Sequence, residues 1–403
     1  MKYTIGQLAE IIDGDRGKNY PQQHEFLEDG YCLFLNTGNV TATGFSFESN
    51  QYISKEKCDL LRKGKLQRRD IVYTTRGTVG NAAFYADSVP YEHIRINSGM
   101  VIIRPDEDVV CTEFLYQILK SDYYRPYFKK YCTGSAQPQL PIKNFSTIEL
   151  DLPDLETQKK IADILSSYDD LIENNQKQIK LLGEAAQRLY KEWFVDLHFP
   201  GYETTPISDG IPEGWKIVKL SDVADVNKQS ISKQYPYDFV DYVDLGSVSN
   251  GHIEATTRFA IQDAPGRAKR IASDGDIIWG MVRPNLKSYA LVFHPTETSV
   301  FSTGFAVLSA CKVPFSFLYC HVTQEDFVGY LVNCTNGAAY PAVKPVHFEE
   351  ATMLLPTEKL LKQFNHIVEP MYRRIETLEN QIQHAKEARD RLLPKLMNGE
   401  IEV

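Results

Sequence analysis

The sequence predicts a mixed α/β protein of the α+β kind. It has two pseudo-symmetric globular heads, separated by two long antiparallel coiled-coil helices. Three observations carry this. The first is a seam within residues 156–195: Ile161, Leu165, Tyr168, Ile172, Ile179, Leu182, Ala186, Leu189 and Trp193. The steps alternate four and three, and Asn175 fills the one gap, which is a heptad pattern. The second is its recurrence at an offset of 203, as Phe364, Val368, Met371, Ile375, Leu378, Ile382, Ala385, Arg389, Leu392 and Leu396. The third is that the stretch before each seam repeats the same phrases in the same order. A constant offset without gaps marks an internal duplication.

At 403 residues the chain holds two or three domains. With 43% hydrophobic and 11% aromatic residues it is a folded chain rather than a disordered one. No apolar run approaches the ~20 residues of a membrane helix. The first residues, MKYTIGQLAEIIDG, lack the apolar core of a signal peptide. Seven scattered cysteines without a CxxC pair read as reduced thiols of a cytoplasmic protein.

The net charge of −9 argues at first against nucleic acid, but the charge is segregated. Residues 55–76 carry eight Lys and Arg against Glu56, Asp59 and Asp70, whereas residues 149–173 carry eight carboxylates against Lys159 and Lys160. A local basic field can attract phosphates whatever the total.

In chain order, residues 1–152 form the first head. An amphipathic segment with Ile5, Leu8, Ala9, Ile11 and Ile12 opens it. Strands follow near residues 33–36, 69–74 and 98–103, and a helix starts at Thr112. The turn-rich stretch Arg76-Gly77-Thr78-Val79-Gly80 and a polar loop at residues 133–139 lie between them. The first long helix occupies residues 153–198, starting near Leu155 after Pro153 and Asp154. Gly183 inside it is a weak point of about 1 kcal/mol against Ala. Residues 199–214, rich in Gly and Pro, form a linker. Residues 215–354 are the second head, and residues 355–403 the second long helix. Asp276-Ile277-Ile278-Trp279 repeats Asp70-Ile71-Val72-Tyr73, Arg283 repeats Arg76, and Asn336-Gly337-Ala338-Ala339-Tyr340 repeats the polar loop.

A heptad stripe on a lone helix leaves its seam in water, so the two matched helices are expected to pair with each other, the alternative being helices of another protein, and both can occur on different faces. Antiparallel pairing would put a head at each end of a rod of ~50 Å, about one and a half turns of B-DNA. Polar seam residues such as Asn175 and Arg389 set register at some cost in stability, or else mark an edge of the seam that faces solvent or a partner.

Enzymatic constellations are missing from the sequence. There is no GxxxxGK[ST] loop, no Asn-Pro-Pro-aromatic run, no HExxH, no zinc-spaced CxxC pair and no GxSxG elbow. The candidates for DNA contact are Arg68, Arg69 and Arg76 with Ser135, Gln137 and Gln139 in the first head. In the second they are Arg267, Lys269, Arg270, Arg283 and Lys287 with Asn336 and Tyr340. The cations suit phosphates or guanine edges, and the amides suit adenine. A protein-binding scaffold is the alternative reading, distinguished by a complex insensitive to salt.

Two phrases sharpen the choice: TGSAQPQLPIKNFSTIELDLPDLETQKKIADIL and EPMYRRIETLENQIQHAKEARDRLLPKLMNGEIEV. With the two heads, each followed by a long helix, they resemble the specificity subunit of type I restriction-modification systems across essentially the whole chain. The second copy departs at Ala338-Ala339-Tyr340, which stand for Ser135-Ala136-Gln137. The resemblance implies that each head is a target recognition domain reading one half of a bipartite, asymmetric sequence in double-stranded DNA. The helices would measure the unread spacer and dock two modification (methyltransferase) subunits. Those subunits would bind S-adenosylmethionine and methylate adenine. Restriction subunits would supply ATP- and Mg-dependent translocation and cleavage. This chain would hold no cofactor, no metal and no catalytic residue.

Overall fold

A computed structural model describes residues 1–134, 137–232, 234–335 and 341–403. Ser135, Asn336 and Tyr340 lie outside the described residues. The chain divides into two compact units, Met1–Asn174 with Gln381–Val403, and Asn175–Asn380.

In the first unit a four-stranded antiparallel sheet is ordered Ala9–Asp13, Met100–Pro105, Ile71–Thr74, Ala82–Phe84. Its strands are apolar at successive positions because both faces are covered. Ile71, Tyr73, Val101 and Ile103 enter a core shared with the helix Thr112–Lys120. Val72, Met100 and Ile102 enter a second core with Leu33, Leu35, Ile94 and Ile96, which belong to a small three-stranded sheet. The two-residue period of a strand makes this division.

The same demand explains the opening segment. Ile5–Leu8 is one helical turn, capped where the Thr4 amide donates to Gln7 Oε1 at 2.8 Å. The chain then becomes the strand Ala9–Asp13, with Ile11 against one core and Ile12 against the other.

The second unit repeats the design. Its sheet is ordered Ala224–Val226, Phe305–Ala310, Ile277–Gly280, Tyr289–Leu291. Ile277, Trp279, Ala306 and Leu308 face the helical core, and Ile278, Phe305 and Val307 face the other. Each head also pairs its first strand with the strand just before its long helix. Tyr3 lies opposite Leu150, and Ile217 opposite Leu354. Residues 199–214, expected as a linker, carry a hairpin, Ile207–Ser208 with Ile211–Pro212. Asp209 and Gly210 turn it with φ of 52° and 78°, the positive values that a tight hairpin turn requires.

The first long helix spans Leu155–Tyr190 and continues as a wider π-turn, Lys191–Val195. The second spans Glu358–Met397 and passes through Pro370 and Pro394 without a break. In the first unit the helices run antiparallel. Lys160 reaches the carbonyl of Val403, and nine residues later Asp169 reaches Arg389. The seam residues point inward as the heptads require. Ile161, Leu165, Ile172, Phe364, Val368, Leu378 and Ile382 are buried. Tyr168, Ile179, Leu182, Leu189, Met371, Ile375 and Leu392 are half-buried. Asn175 is buried too.

The seam has more to do than join two helices. Ile161, Ala162, Leu165, Leu393 and Leu396 are part of the first head's core. Ala186, Tyr190, Trp193, Phe194, Phe364, Val368 and Tyr372 are part of the second's. Tyr190, Phe194, Tyr372 and Leu393 stand off the heptad positions, because they face a head rather than the partner helix.

Candidate nucleic-acid interface

In each head, three turns converge at the end of the central strand. The strand Ile71–Thr74 runs into the Arg76 turn, whose start is held by the Thr75 and Arg76 amides donating to the Gly99 carbonyl at 2.9 and 3.1 Å. The Thr74 hydroxyl closes the turn, accepting from the Asn81 amide at 2.9 Å and donating to the Thr78 carbonyl. Gly77 and Gly80, with φ of 71° and 104°, supply backbone that other residues rarely adopt. The polar loop is pinched shut by reciprocal bonds between Thr133 and Gln139, at 2.7 and 2.9 Å. Next to it the Leu140 amide donates to the Thr75 carbonyl at 2.9 Å. This fastens the loop to the Arg76 turn.

A third turn was not foreseen from the sequence. Thr37–Asn39 is a single 3₁₀ turn capped by Asn36, whose side chain accepts from the Gly38 amide at 2.8 Å. Asn39 holds it from the other side, accepting from the Asn36 amide and donating to the Ser46 and Ser49 carbonyls. Asn81 donates to Val40 at 2.9 Å, tying this turn to the first. Thr37 lies directly over Gly99, where a Cβ would come within 2.8 Å of it.

The second head is built by the same bonds. The Met281 amide donates to the Gly304 carbonyl at 2.8 Å, and the Val343 amide to the Met281 carbonyl at 2.9 Å. The Arg283 amide donates to the Pro341 carbonyl at 2.8 Å. Leu245–Ser247 is the capped turn, with Asp244 accepting from the Ser247 amide and hydroxyl at 3.0 Å each. Leu245 covers Gly304 as Thr37 covers Gly99.

The candidate residues divide on inspection. Gln137 and Gln139 are exposed on the polar loop. Arg76 is half-buried and, among the described residues, its side chain makes no hydrogen bond or ion pair. Arg267, Lys269 and Arg283 are exposed, on or beside the strand Ala268–Ile271 and on the Met281 turn.

Arg68, Arg69, Lys287 and Arg270 make specific contacts within their heads. The Arg68 guanidinium stacks 4.2 Å from the Tyr85 ring and donates to the carbonyls of Ala86, Val89 and Tyr91. Arg69, at φ 72°, clasps Glu107 and Glu113 at 2.6 and 2.9 Å, and these carboxylates hold its pKa up. Lys287 pairs with Glu325. Arg270 is half-buried against Ser230, its pKa lowered by burial. Their partners are too distant in sequence for a reading of charge runs to find. The basic run itself is not one patch, since Lys57 pairs with Glu25 and Lys55 sits over Tyr31. The signal for the capped turns was present: Asn36-Thr37-Gly38-Asn39 and Asp244-Leu245-Gly246-Ser247 match, each with a side chain suited to capping.

Among the described residues no cluster of His, Cys, Asp and Glu could hold a metal ion, and no helix is long and apolar enough to cross a membrane.

Comparison with known proteins gives this geometry a context. Residues 1–183 match the family model described as type I restriction modification DNA specificity domain. The chain is similar to the type I restriction enzyme MjaIX specificity subunit of Methanocaldococcus jannaschii. The two are 28% identical over 343 residues, 83% of this chain and 78% of that one. The HindI specificity subunit of Haemophilus influenzae is 23% identical over 469 residues, 98% of this chain and all of that one. The crystal structure of a type I restriction-modification S subunit from M. genitalium shares the fold. Its TM-score is 0.59 at 15% identity, covering 98% of this chain and 96% of that one.

Proposed function

We infer, from a chain whose residues 1–183 match the family model described as type I restriction modification DNA specificity domain, that this protein is a DNA sequence-specificity subunit. The observation that carries the reading is the pair of turn clusters. One backbone frame is used twice, with an arginine common to both, Arg76 and Arg283, and different side chains beside it: Thr37 and Gln139 in one head, Leu245 in the other. Two heads of one frame and unlike surface suit the reading of two unlike half-sites. A rigid frame also suits base reading, since a contact group must be held to a fraction of an ångström.

On this reading residues 1–152 and 215–354 are the two target recognition domains. The paired helices set the unread spacer and dock two modification subunits. S-adenosylmethionine, ATP and Mg act on the modification and restriction subunits, and this chain contributes recognition without catalysis. Ile164 and Ile367, which correspond in the duplication and are 36% and 40% exposed, offer matched apolar contacts for two like partners.

Methylome sequencing of cells with and without the gene tests this directly. Loss of one two-part methylated motif is the expected result; an unchanged methylome refutes it. Arg76→Ala and Arg283→Ala should each relax one half of the motif only. Equal weakening on unrelated DNA would reduce both residues to phosphate contacts.

A further inference from the structure

Several glycines in the heads have an internal reason to be glycine. Gly77 and Gly80 take left-handed backbone, and Gly99 and Gly304 lie under Thr37 and Leu245. Gly246 and Gly266 have neither reason. Neither has φ in the left-handed region. Among the described residues, a Cβ on Gly246 would meet only Asp244 Oδ1, at an ordinary 3.4 Å, and one on Gly266 would meet nothing within 4 Å. Both are exposed. Glycine costs conformational entropy, and close approach by something outside the fold is one use that offsets it; the helical Gly183 and Gly329 are equally free of contact, and Gly246 and Gly266 are set apart by bordering a patch that carries the exposed cations Arg267 and Lys269.

The two glycines border one patch. Gly246 is in the capped turn, whose Leu245 lies on Gly304. Gly266 is in a turn closed by the Ala268 amide donating to Pro265 at 2.8 Å. The next residue, Arg267, accepts from the Thr303 amide at 2.8 Å, beside Gly304. Exposed Arg267 and Lys269 follow Gly266 in the chain. The first head has a glycine, Gly38, at the corresponding place in its own capped turn.

We propose that Gly246 and Gly266 are where the second head meets duplex DNA main chain to main chain, at a separation that leaves no room for a Cβ. This rests on the reading of the chain as a DNA-specificity subunit and names contact points within that site. Gly266, between a proline and Arg267, meets phosphate. Gly246 sits beside the Asp244 carboxylate, which repels phosphate, and so meets the sugar edge. Rigid turns make such an approach reproducible, since neither has to be ordered on binding.

The test uses the full-length chain and a fluorescent duplex carrying the bipartite sequence found by methylome sequencing. Gly246→Val and Gly266→Val should each weaken binding about tenfold, in line with losing one close contact. Tryptophan-monitored melting should be unchanged. Gly183→Ala, on the first long helix, should bind like the wild type. Gly266→Ala, which adds one carbon to open space, should weaken binding in the same direction and guards against a folding defect from valine. Valine and alanine variants that bind within about twofold of wild type overturn the proposal, as does a loss of binding that tracks a fall in melting temperature. A wild type that binds no duplex overturns the functional reading itself, and this inference with it.

Discussion

Replacing Asp169 with alanine should uncouple the first unit from the second in unfolding. Asp169 lies on the first long helix and accepts from three directions. Gln117 Nε2 donates at 2.6 Å, Lys120 Nζ donates to the same oxygen, and Arg389 Nη1 donates to the other at 2.9 Å. Burial penalises its charge, but Lys120, Gln117 and Arg389 outweigh that and hold its pKa below the usual range. Lys120 is 9% exposed, and burial brings its pKa down to about 8 even with the carboxylate beside it.

Removing the carboxylate leaves Arg389 with Asp390, at 2.9 Å, but strands Lys120. Stranding one partner of a buried pair costs about 3–5 kcal/mol. Lysine has an escape, since it can shed its proton at pH 7. Giving up about 3.5 pH units of affinity costs about 5 kcal/mol, which caps the penalty. With a urea dependence of about 2–3 kcal/mol/M, the midpoint of the first unit should drop by roughly 1–2 M.

All three tryptophans, Trp193, Trp215 and Trp279, lie in the second unit, so their fluorescence is blind to this loss while far-ultraviolet circular dichroism sees it. The expected result is one transition that splits in two. A midpoint shift under about 0.3 M, or an equal shift by both probes, would refute the argument. Lys120→Met in the Asp169→Leu background should recover most of the loss, because an apolar replacement of a whole buried pair is often neutral.

Three further outcomes follow from the geometry. His321 is half-buried with its Nε2 sealed from solvent, and burial lowers its pKa to about 4, so the native state excludes a proton that the unfolded chain takes up near 6.5. The second unit should therefore lose about 3 kcal/mol as the pH falls from 6.5 to 4, and His321→Gln should remove that slope from tryptophan-monitored unfolding. Arg267→Ala and Lys269→Ala should each reduce the slope of log affinity against log salt by about one, with the half-site preference unchanged. Arg69→Met should lower stability by no more than about 1 kcal/mol, as its ion pairs are half-exposed, and leave DNA affinity and salt slope untouched.

Much of the architecture was legible because it rests on periodicity. The heptads gave the helices, and the 203-residue offset gave their equivalence. Apolar pairs such as Ile71-Val72 and Ile277-Ile278 belong to strands covered on both faces. What eluded the sequence depends on long-range partners. Nothing near Arg69 announces Glu107 and Glu113, and nothing near Arg68 announces the carbonyls it gathers. The same holds for the first head's joint to its helices. Gln117, Lys120, Asp169 and Arg389 form a charged cluster there, whereas the corresponding Cys320, Thr323, Tyr372 and Ala186 form an uncharged one. Arg389 drew attention as an odd residue in the seam, but its carboxylate partner is 220 positions away.

The division of the units has a consequence for biosynthesis. The first head's core is finished by Leu393 and Leu396, translated some 200 residues after the rest of it. At 5–20 residues per second, the ribosome delivers that plug roughly 10–40 s late. For that interval the nascent amino-terminal domain displays greasy surface around Leu165, which lines the same small cavity as Leu393.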